Sequence, residues 1–276
     1  MILFPPCKIN IGLDILAKRQ DGFHDIDTVM VPVNGFCDSL EIVPAENDAE
    51  DDSVPEISFS GYCVDCPPED NIVVKAWQLV RQHYRIGAVR VHLHKNIPFG
   101  AGLGGGSADA AYMLVGLNEL FALGMPEQQL KDFALRLGSD VPFFLQDFPM
   151  RCTGRGEIMK SVSLPIHDMY VVIVKPDIFI STREAYSGVQ PSIPDVDLAG
   201  RLAMPAERWR YCVSNDFETT LFPRYPRLGD IKNSLYDAGA VYASMSGSGS
   251  SLFGLFDSMP YFDAPEDCIV WCGKLF

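Results

Sequence analysis

Apolar and polar positions in this chain follow two rhythms, and these interleave along its length. Ile9, Ile11, Leu13 and Ile15 fall on one face by period-two alternation, which predicts a strand over 9–16. The polar turn Lys18-Arg19-Gln20-Asp21-Gly22 separates it from a second strand at 40–43. A helix is predicted over 71–84. Val89, Val91 and Leu93 then alternate with Arg90, His92 and His94 as a half-buried strand that ends at Pro98. Beyond a glycine-rich loop, Ala111, Leu114, Leu117 and Phe121 form one helical stripe over 108–121. Leu130, Phe133, Ala134 and Leu137 form another over 127–137, with Gly138 as its stop. The continuous apolar run 169–174 reads as a buried strand, and 188–205 as a loop or short helix. A helix over 228–237 leads to strands at 241–245 and 251–256, which flank a second glycine–serine loop. Strands and helices mix without a strict strand–helix–strand alternation, so the expected class is α+β. Two lobes are expected, 1–153 and 154–276, with a cleft between them.

Composition narrows what such a fold can serve. Of 276 residues, 47% are hydrophobic and 21% charged, an ordinary globular balance. The formal net charge of −14 makes the surface a poor partner for nucleic acid or an anionic membrane. The acidic run from Glu46 to Asp52 reads as a solvated loop. Four of the 8 cysteines, Cys7, Cys37, Cys152 and Cys212, stand singly among apolar neighbours. Cys63 and Cys66 form one C-x-x-C, and Cys268 and Cys272 are too distant and wrongly spaced to complete a zinc ribbon. No signal-peptide pattern and no apolar run of about 20 residues is present, so a reduced, cytoplasmic protein is expected.

The densest chemical signal is Pro98-Phe99-Gly100-Ala101-Gly102-Leu103-Gly104-Gly105-Gly106-Ser107. Glycines let backbone N–H groups approach a ligand, and the helix that follows points its positive end at the loop. Such an anion site needs no basic side chain, which suits an acidic protein that holds phosphates. Gly100, Gly102 and Gly105 satisfy a dinucleotide-type G-x-G-x-x-G, but the loop sits mid-chain and two helices follow it. A P-loop fails because Gly106 occupies the lysine position. The bland alternative is a tight strand–helix turn that binds nothing.

The loop resembles the second motif of the GHMP kinases. Lys8-Ile9-Asn10 resembles the first motif, and Met245-Ser246-Gly247-Ser248-Gly249-Ser250-Ser251 the third. Within that superfamily, Lys18 to His24 resembles the K-R-x-D-G-Y-H run of the diphosphocytidyl-methylerythritol kinases, and Leu137 to Phe144 their L-G-A-D-V-P-F-F. Asp70-Asn71-Ile72-Val73 and Asn215-Asp216-Phe217-Glu218 fit as well, so the likeness runs in order from Lys8 to about Phe256. Cys7, Phe23, Ser139, Ala108 and Ser250 depart from the usual alanine, tyrosine, alanine, serine and proline, and none removes a group the chemistry needs.

The resemblance implies a two-lobed GHMP kinase fold and transfer of the γ-phosphate of ATP, with Mg²⁺, to a small molecule that carries a cytidine diphosphate group. It assigns catalysis to Lys8 and Asp140, although Asp140 alone, beside Pro142, reads as a helix N-cap. It assigns ATP to Pro98, Gly100, Gly102, Leu103, Gly104, Gly105, Gly106 and Ser107, with Ser107 also a candidate Mg²⁺ ligand. It assigns the substrate to Asn10, Phe23, His24, Thr182 and Tyr186, the two rings flanking the cytosine. Another GHMP kinase of homoserine or mevalonate type and a non-catalytic nucleotide-binding module are the rival readings.

Overall fold

Each strand and helix read from the pattern recurs in the computed structural model, which describes residues 1–45, 55–64, 66–263 and 265–275. The acidic 46–52 run lies outside the described residues. The order is β1 (Ile2–Leu3), β2 (Pro6–Lys18), β3 (His24–Cys37), β4 (Ser39–Pro44), β5 (Glu56–Gly61), α1 (Ile72–Arg81), β6 (Val89–Lys95), α2 (Gly105–Leu120) and α3 (Glu127–Leu137). There follow β7 (Met150–Gly154), β8 (Ile158–Ser161), β9 (Tyr170–Pro176), α4 (Thr182–Ser187), α5 (Leu198–Leu202), α6 (Ala206–Cys212), α7 (Glu218–Arg224), α8 (Pro226–Asp237), β10 (Tyr242–Met245), β11 (Leu252–Phe256) and β12 (Cys268–Lys274). The α+β class holds.

The chain divides into two compact units that share it in alternation. The first comprises Met1–Cys7, Phe36–Phe99 and Gly104–Asp147; the second comprises Lys8–Gly35, Gly100–Leu103 and Phe148–Phe276. In the first, β1, β4, β6 and β5 form one sheet in that order, with β5 parallel to β6 and the other pairs antiparallel. Trp77 and Val80 of α1 and Leu114 and Leu117 of α2 are buried with Ile42 and Leu93 of the sheet. Asn71 caps α1 by accepting the N–H of Val73 at 2.9 Å, so the helix starts where the local chemistry begins it.

The second unit holds the antiparallel sheet β10-β11-β9-β12. Phe217, Leu221, Leu228, Ile231 and Leu235 from the α7–α8 region pack with Val172 and Leu252 as its core. Another sheet, β2-β3-β7-β8, has most of its length in this unit.

Two departures from the pattern are instructive. The residues from Pro6 to Ile15 are buried on both faces of β2, so the positions between Ile9, Ile11, Leu13 and Ile15 are inside as well. Strand β3 has no counterpart in the sequence reading. Its middle, Ile26 to Val33, is buried throughout and lacks alternation, and Pro32 argues against a strand.

Candidate functional site

The first glycine loop acquires its shape from three left-handed residues, Gly100, Gly102 and Gly104, at φ 64°, 76° and 74°. A side chain is disfavoured at such angles, which is why this stretch is glycine. Gly104 is the N-cap of α2 and offers no side chain to its first N–H groups. The helix therefore starts three residues earlier than its apolar stripe, with Gly105, Gly106 and Ser107 as its first turn. Sixteen residues of aligned peptide dipoles end at an uncapped N-terminus, an arrangement suited to phosphate oxygens. Ser107 is half-buried there.

In the second unit, Lys8 and Asn10 stand on β2 at 3% and 2% exposure. The Lys8 ammonium donates to Asn10 Oδ1 at 2.5 Å and to the Gly102 carbonyl at 3.0 Å. Asn10 Nδ2 donates to Thr28 Oγ1 at 3.0 Å, and Thr28 in turn donates to the Gly12 carbonyl at 2.6 Å. An isolated buried ammonium would be costly; here the polar network compensates it. The strand thus brings the predicted Lys8, Asn10 and Gly102 into one hydrogen-bonded group.

The aromatic residues sit at the β2–β3 turn and on α4. His24 stacks on Tyr186 with ring centroids 4.6 Å apart and planes 23° from parallel. Tyr186 also meets Phe217 edge-on at 4.8 Å. Desolvation, helped by Lys18, lowers the His24 pKa, which favours the neutral imidazole at physiological pH. Phe23 is 50% exposed, and the Arg155 guanidinium lies 4.7 Å from its ring centroid. Thr182, the first residue of α4, is exposed. One face of Tyr186 is therefore taken by His24, a feature the sequence does not disclose.

Asp140 belongs to the first unit, half-buried at the start of a 3₁₀ turn, Val141–Leu145. It is the N-cap residue of that turn by position, and its side chain makes no cap bond to it.

Three further residues carry charge where sequence reasoning named none. Lys95 donates to Asp38 and, at 2.6 Å, to Asp109 of α2, all three buried. Asp38 Oδ1 also accepts the N–H groups of Asn96 at 2.7 Å and Ile97 at 2.8 Å, immediately before the loop. A signal for this cluster existed: Lys95 continues the inward face of Val89, Val91 and Leu93. The motif Asn215-Asp216-Phe217-Glu218 also proves structural in its detail. Asn215 Nδ2 donates to the carbonyls of Met245 and Gly247, 2.8 Å each, and Oδ1 accepts the Phe217 N–H at 3.0 Å. Glu218 accepts from Ser244 Oγ, the Met245 N–H and Lys232.

Among the described residues no cysteine is in a disulfide; Cys63 is exposed and Cys66 half-buried. Among the described residues, no cluster of three or more His, Cys, Asp or Glu is placed to hold a metal, and no helix is long and apolar enough to cross a membrane.

Comparison with known proteins accords with this arrangement. Residues 71–147 match the GHMP kinases N terminal domain and residues 195–261 the GHMP kinases C terminal domain. A 4-diphosphocytidyl-2-C-methyl-D-erythritol kinase of Parabacteroides distasonis is 43% identical, with all of both chains covered. A crystal structure of 4-(cytidine 5'-diphospho)-2C-methyl-D-erythritol kinase is 30% identical at a TM-score of 0.80, covering 99% of this chain and 98% of that one. A homoserine kinase structure from Cytophaga hutchinsonii has a TM-score of 0.62 at 17% identity, over 98% of this chain and 95% of that one, and shares the fold alone. End-to-end likeness at such identity, with both family halves matched in order, makes this chain a member of the 4-diphosphocytidyl-2-C-methyl-D-erythritol kinase family within the GHMP kinases.

Proposed function

We propose that this chain transfers the γ-phosphate of ATP to the 2-hydroxyl of 4-diphosphocytidyl-2-C-methyl-D-erythritol, in the cytoplasm, as a step of non-mevalonate isoprenoid precursor synthesis. The observation that carries the reading is the buried Lys8–Asn10–Gly102 group beside a glycine loop that opens an uncapped helix. A phosphoryl transfer needs little covalent help and much positioning and charge stabilisation. A buried ammonium offers that stabilisation, and a module that only held a nucleotide would have no use for it.

In this reading Pro98 to Ser107, within 1–153, receive the nucleotide. The N–H groups of Gly105, Gly106 and Ser107 hold its phosphates, and Gly100, Gly102 and Gly104 keep the backbone clear of side chains. Ser107, half-buried in the first turn of α2, would offer its hydroxyl to an Mg²⁺ ion bound with ATP, which would supply neutralisation of phosphate charge.

Asp140 orients the acceptor hydroxyl and takes its proton. Lys8 lowers the cost of charge on the reacting oxygens, and Asn10 holds the acceptor. Phe23 stacks on the cytosine. His24, neutral and backed by Tyr186, reads the base edge with Tyr186 closing that side. Residues 154–276 add Tyr186 and Thr182 as substrate contacts. Homoserine and mevalonate carry no base, so the stacked His24–Tyr186 pair, with the exposed Phe23 ring next to it in the chain, speaks against them as substrates.

Phosphorus NMR of the chain with ATP, Mg²⁺ and the cytidyl substrate tests this. One new phosphomonoester should grow in step with ADP, and Asp140→Asn should keep ATP binding while losing at least about a hundredfold in turnover. ADP without a phosphomonoester, or near-normal turnover by the variant, would refute the assignment.

A further inference from the structure

We infer that Asn215 is a positioning residue for the phosphoryl transfer: its amide fixes the 245–251 turn, and that turn fixes where the Lys8 ammonium stands. The inference rests on the role proposed above for Lys8. Asn215 is fully buried, and all three hydrogen-bonding arms of its amide are committed, two of them to the Met245 and Gly247 carbonyls. The turn those carbonyls belong to is interlocked with the 100–103 segment. Ser246 Oγ donates to the Gly102 carbonyl at 2.9 Å, and the Ser251 N–H donates to the Ala101 carbonyl at 3.1 Å.

Gly102 O is also an acceptor of Lys8 Nζ. The ammonium and the turn therefore share one carbonyl. The approach is close enough to leave little room for a side chain. A Cβ at Gly247 would lie 3.1 Å from Gly102 O, 3.3 Å from Lys8 Nζ and 3.4 Å from Asn10 Oδ1. A Cβ at Gly102 would come within 2.1 Å of the Ser246 carbonyl. The shared Gly102 carbonyl couples the position of the turn to that of the Lys8 ammonium.

Asn215 is braced from its other side. The Leu13 N–H donates to the Ser214 carbonyl and the Asp216 N–H to the Leu13 carbonyl, both at 2.9 Å, and Asp216 Oδ2 accepts the Ile15 N–H at 2.7 Å. The motif is thus fastened to β2, the strand that carries Lys8 and Asn10. One rigid path runs from β2 through Asn215 to the turn, and returns through Gly102 to Lys8.

A residue that merely staples two strands would give a different signature from one that sets the ammonium. Aspartate at 215 keeps shape and the Oδ1 acceptor but turns two N–H···O contacts into O···O repulsions. The test is a double-mutant cycle of Asn215→Asp and Lys8→Met, in the full chain, with ATP and the cytidyl substrate. Asn215→Asp should lower kcat at least about tenfold with both KM values within about threefold. In the Lys8→Met background it should cost less than about twofold more, because the group it positions is gone. If the two losses multiply, or if both KM values rise with the thermal midpoint lowered, Asn215 is only a staple and the inference is overturned while Lys8 stands. If Lys8→Met alone keeps its turnover, the proposed role of Lys8 fails, and the inference with it. Asn215→Ser, neutral and too short to reach Gly247, runs the same cycle should the aspartate variant not fold.

Discussion

The two glycine loops are anchored by different chemistry. Around the first, the anchor grips the flanks: Asp38 takes the N–H groups of Asn96 and Ile97 before the loop, and Lys95 ties Asp38 to Asp109 on the helix after it. The anchor is a buried charge cluster in which two carboxylates share one ammonium. Around the second, the anchor enters the loop itself. Asn215 and Glu218 bond directly to the backbone of Met245 and Gly247. The difference follows from what each backbone is free to do. N–H groups meant for phosphate oxygens must stay uncommitted, so the first loop is held at its flanks and through the carbonyls of Ala101, Gly102 and Leu103. A loop that braces a neighbouring lysine can have its backbone fully engaged.

The largest expected effect comes from breaking the charged anchor. Lys95→Met leaves Asp38 and Asp109 buried without their counter-ion and should cost about 3–5 kcal/mol of stability. Denaturant melts measure this. A loss below about 1 kcal/mol, the range of exposed pairs, would mean the cluster anchors nothing.

Next is the loop conformation itself. Gly104→Val forces a β-branched residue to φ 74° and should raise the ATP KM at least about tenfold, from roughly 1–2 kcal/mol of backbone strain. The KM of the cytidyl substrate should move little. An unchanged ATP affinity in the folded variant would place the nucleotide elsewhere.

A residue in neither loop sharpens the contrast. Phe23→Ala should weaken the cytidyl substrate by about 1–3 kcal/mol while leaving ATP affinity and the thermal midpoint alone, since the ring is half exposed. Tyr186→Ala, by contrast, should lose stability as well, because its ring packs on His24 and Phe217. If Phe23→Ala destabilises as much as Tyr186→Ala, the ring is structural.

The smallest effect is on pH dependence and should appear only for the charged anchor. Burial first, with Asp38 adding and Lys95 opposing, pushes the Asp109 carboxyl up to about 7. Among the described residues Asp109 Oδ1 has no hydrogen-bond partner, which leaves room for that proton. A folded pKa above the unfolded value means the fold gains stability from the protonated form, complete below about pH 4 and lost as pH rises through about 7. Asp109→Asn should flatten that fall in the thermal midpoint between those limits. Parallel curves for the two proteins would contradict it.

Much of this arrangement is legible in the sequence. The glycine run is visible because it is too dense for an ordinary turn, whereas Lys8 and Asn10 fit the alternation of their strand and are picked out only by the resemblance of Lys8-Ile9-Asn10 to a GHMP kinase motif. What escapes is whatever depends on a partner far along the chain. Strand β3 is hidden because burial on both faces erases alternation. Asp38 and Asp109 look like ordinary surface acids until tertiary structure brings Lys95 between them. Asn215 could be noticed in a motif, but the carbonyls it holds lie about thirty residues on. His24 against Tyr186 is likewise a contact between a turn and a helix that no spacing reports.

The most direct test of the account is ADP release measured against four acceptors under one set of conditions: the cytidyl substrate, homoserine, mevalonate and galactose. The account predicts ATP-dependent turnover with the cytidyl substrate and background rates with the other three. Comparable or faster turnover with any of those three, or none with the cytidyl substrate, would contradict it.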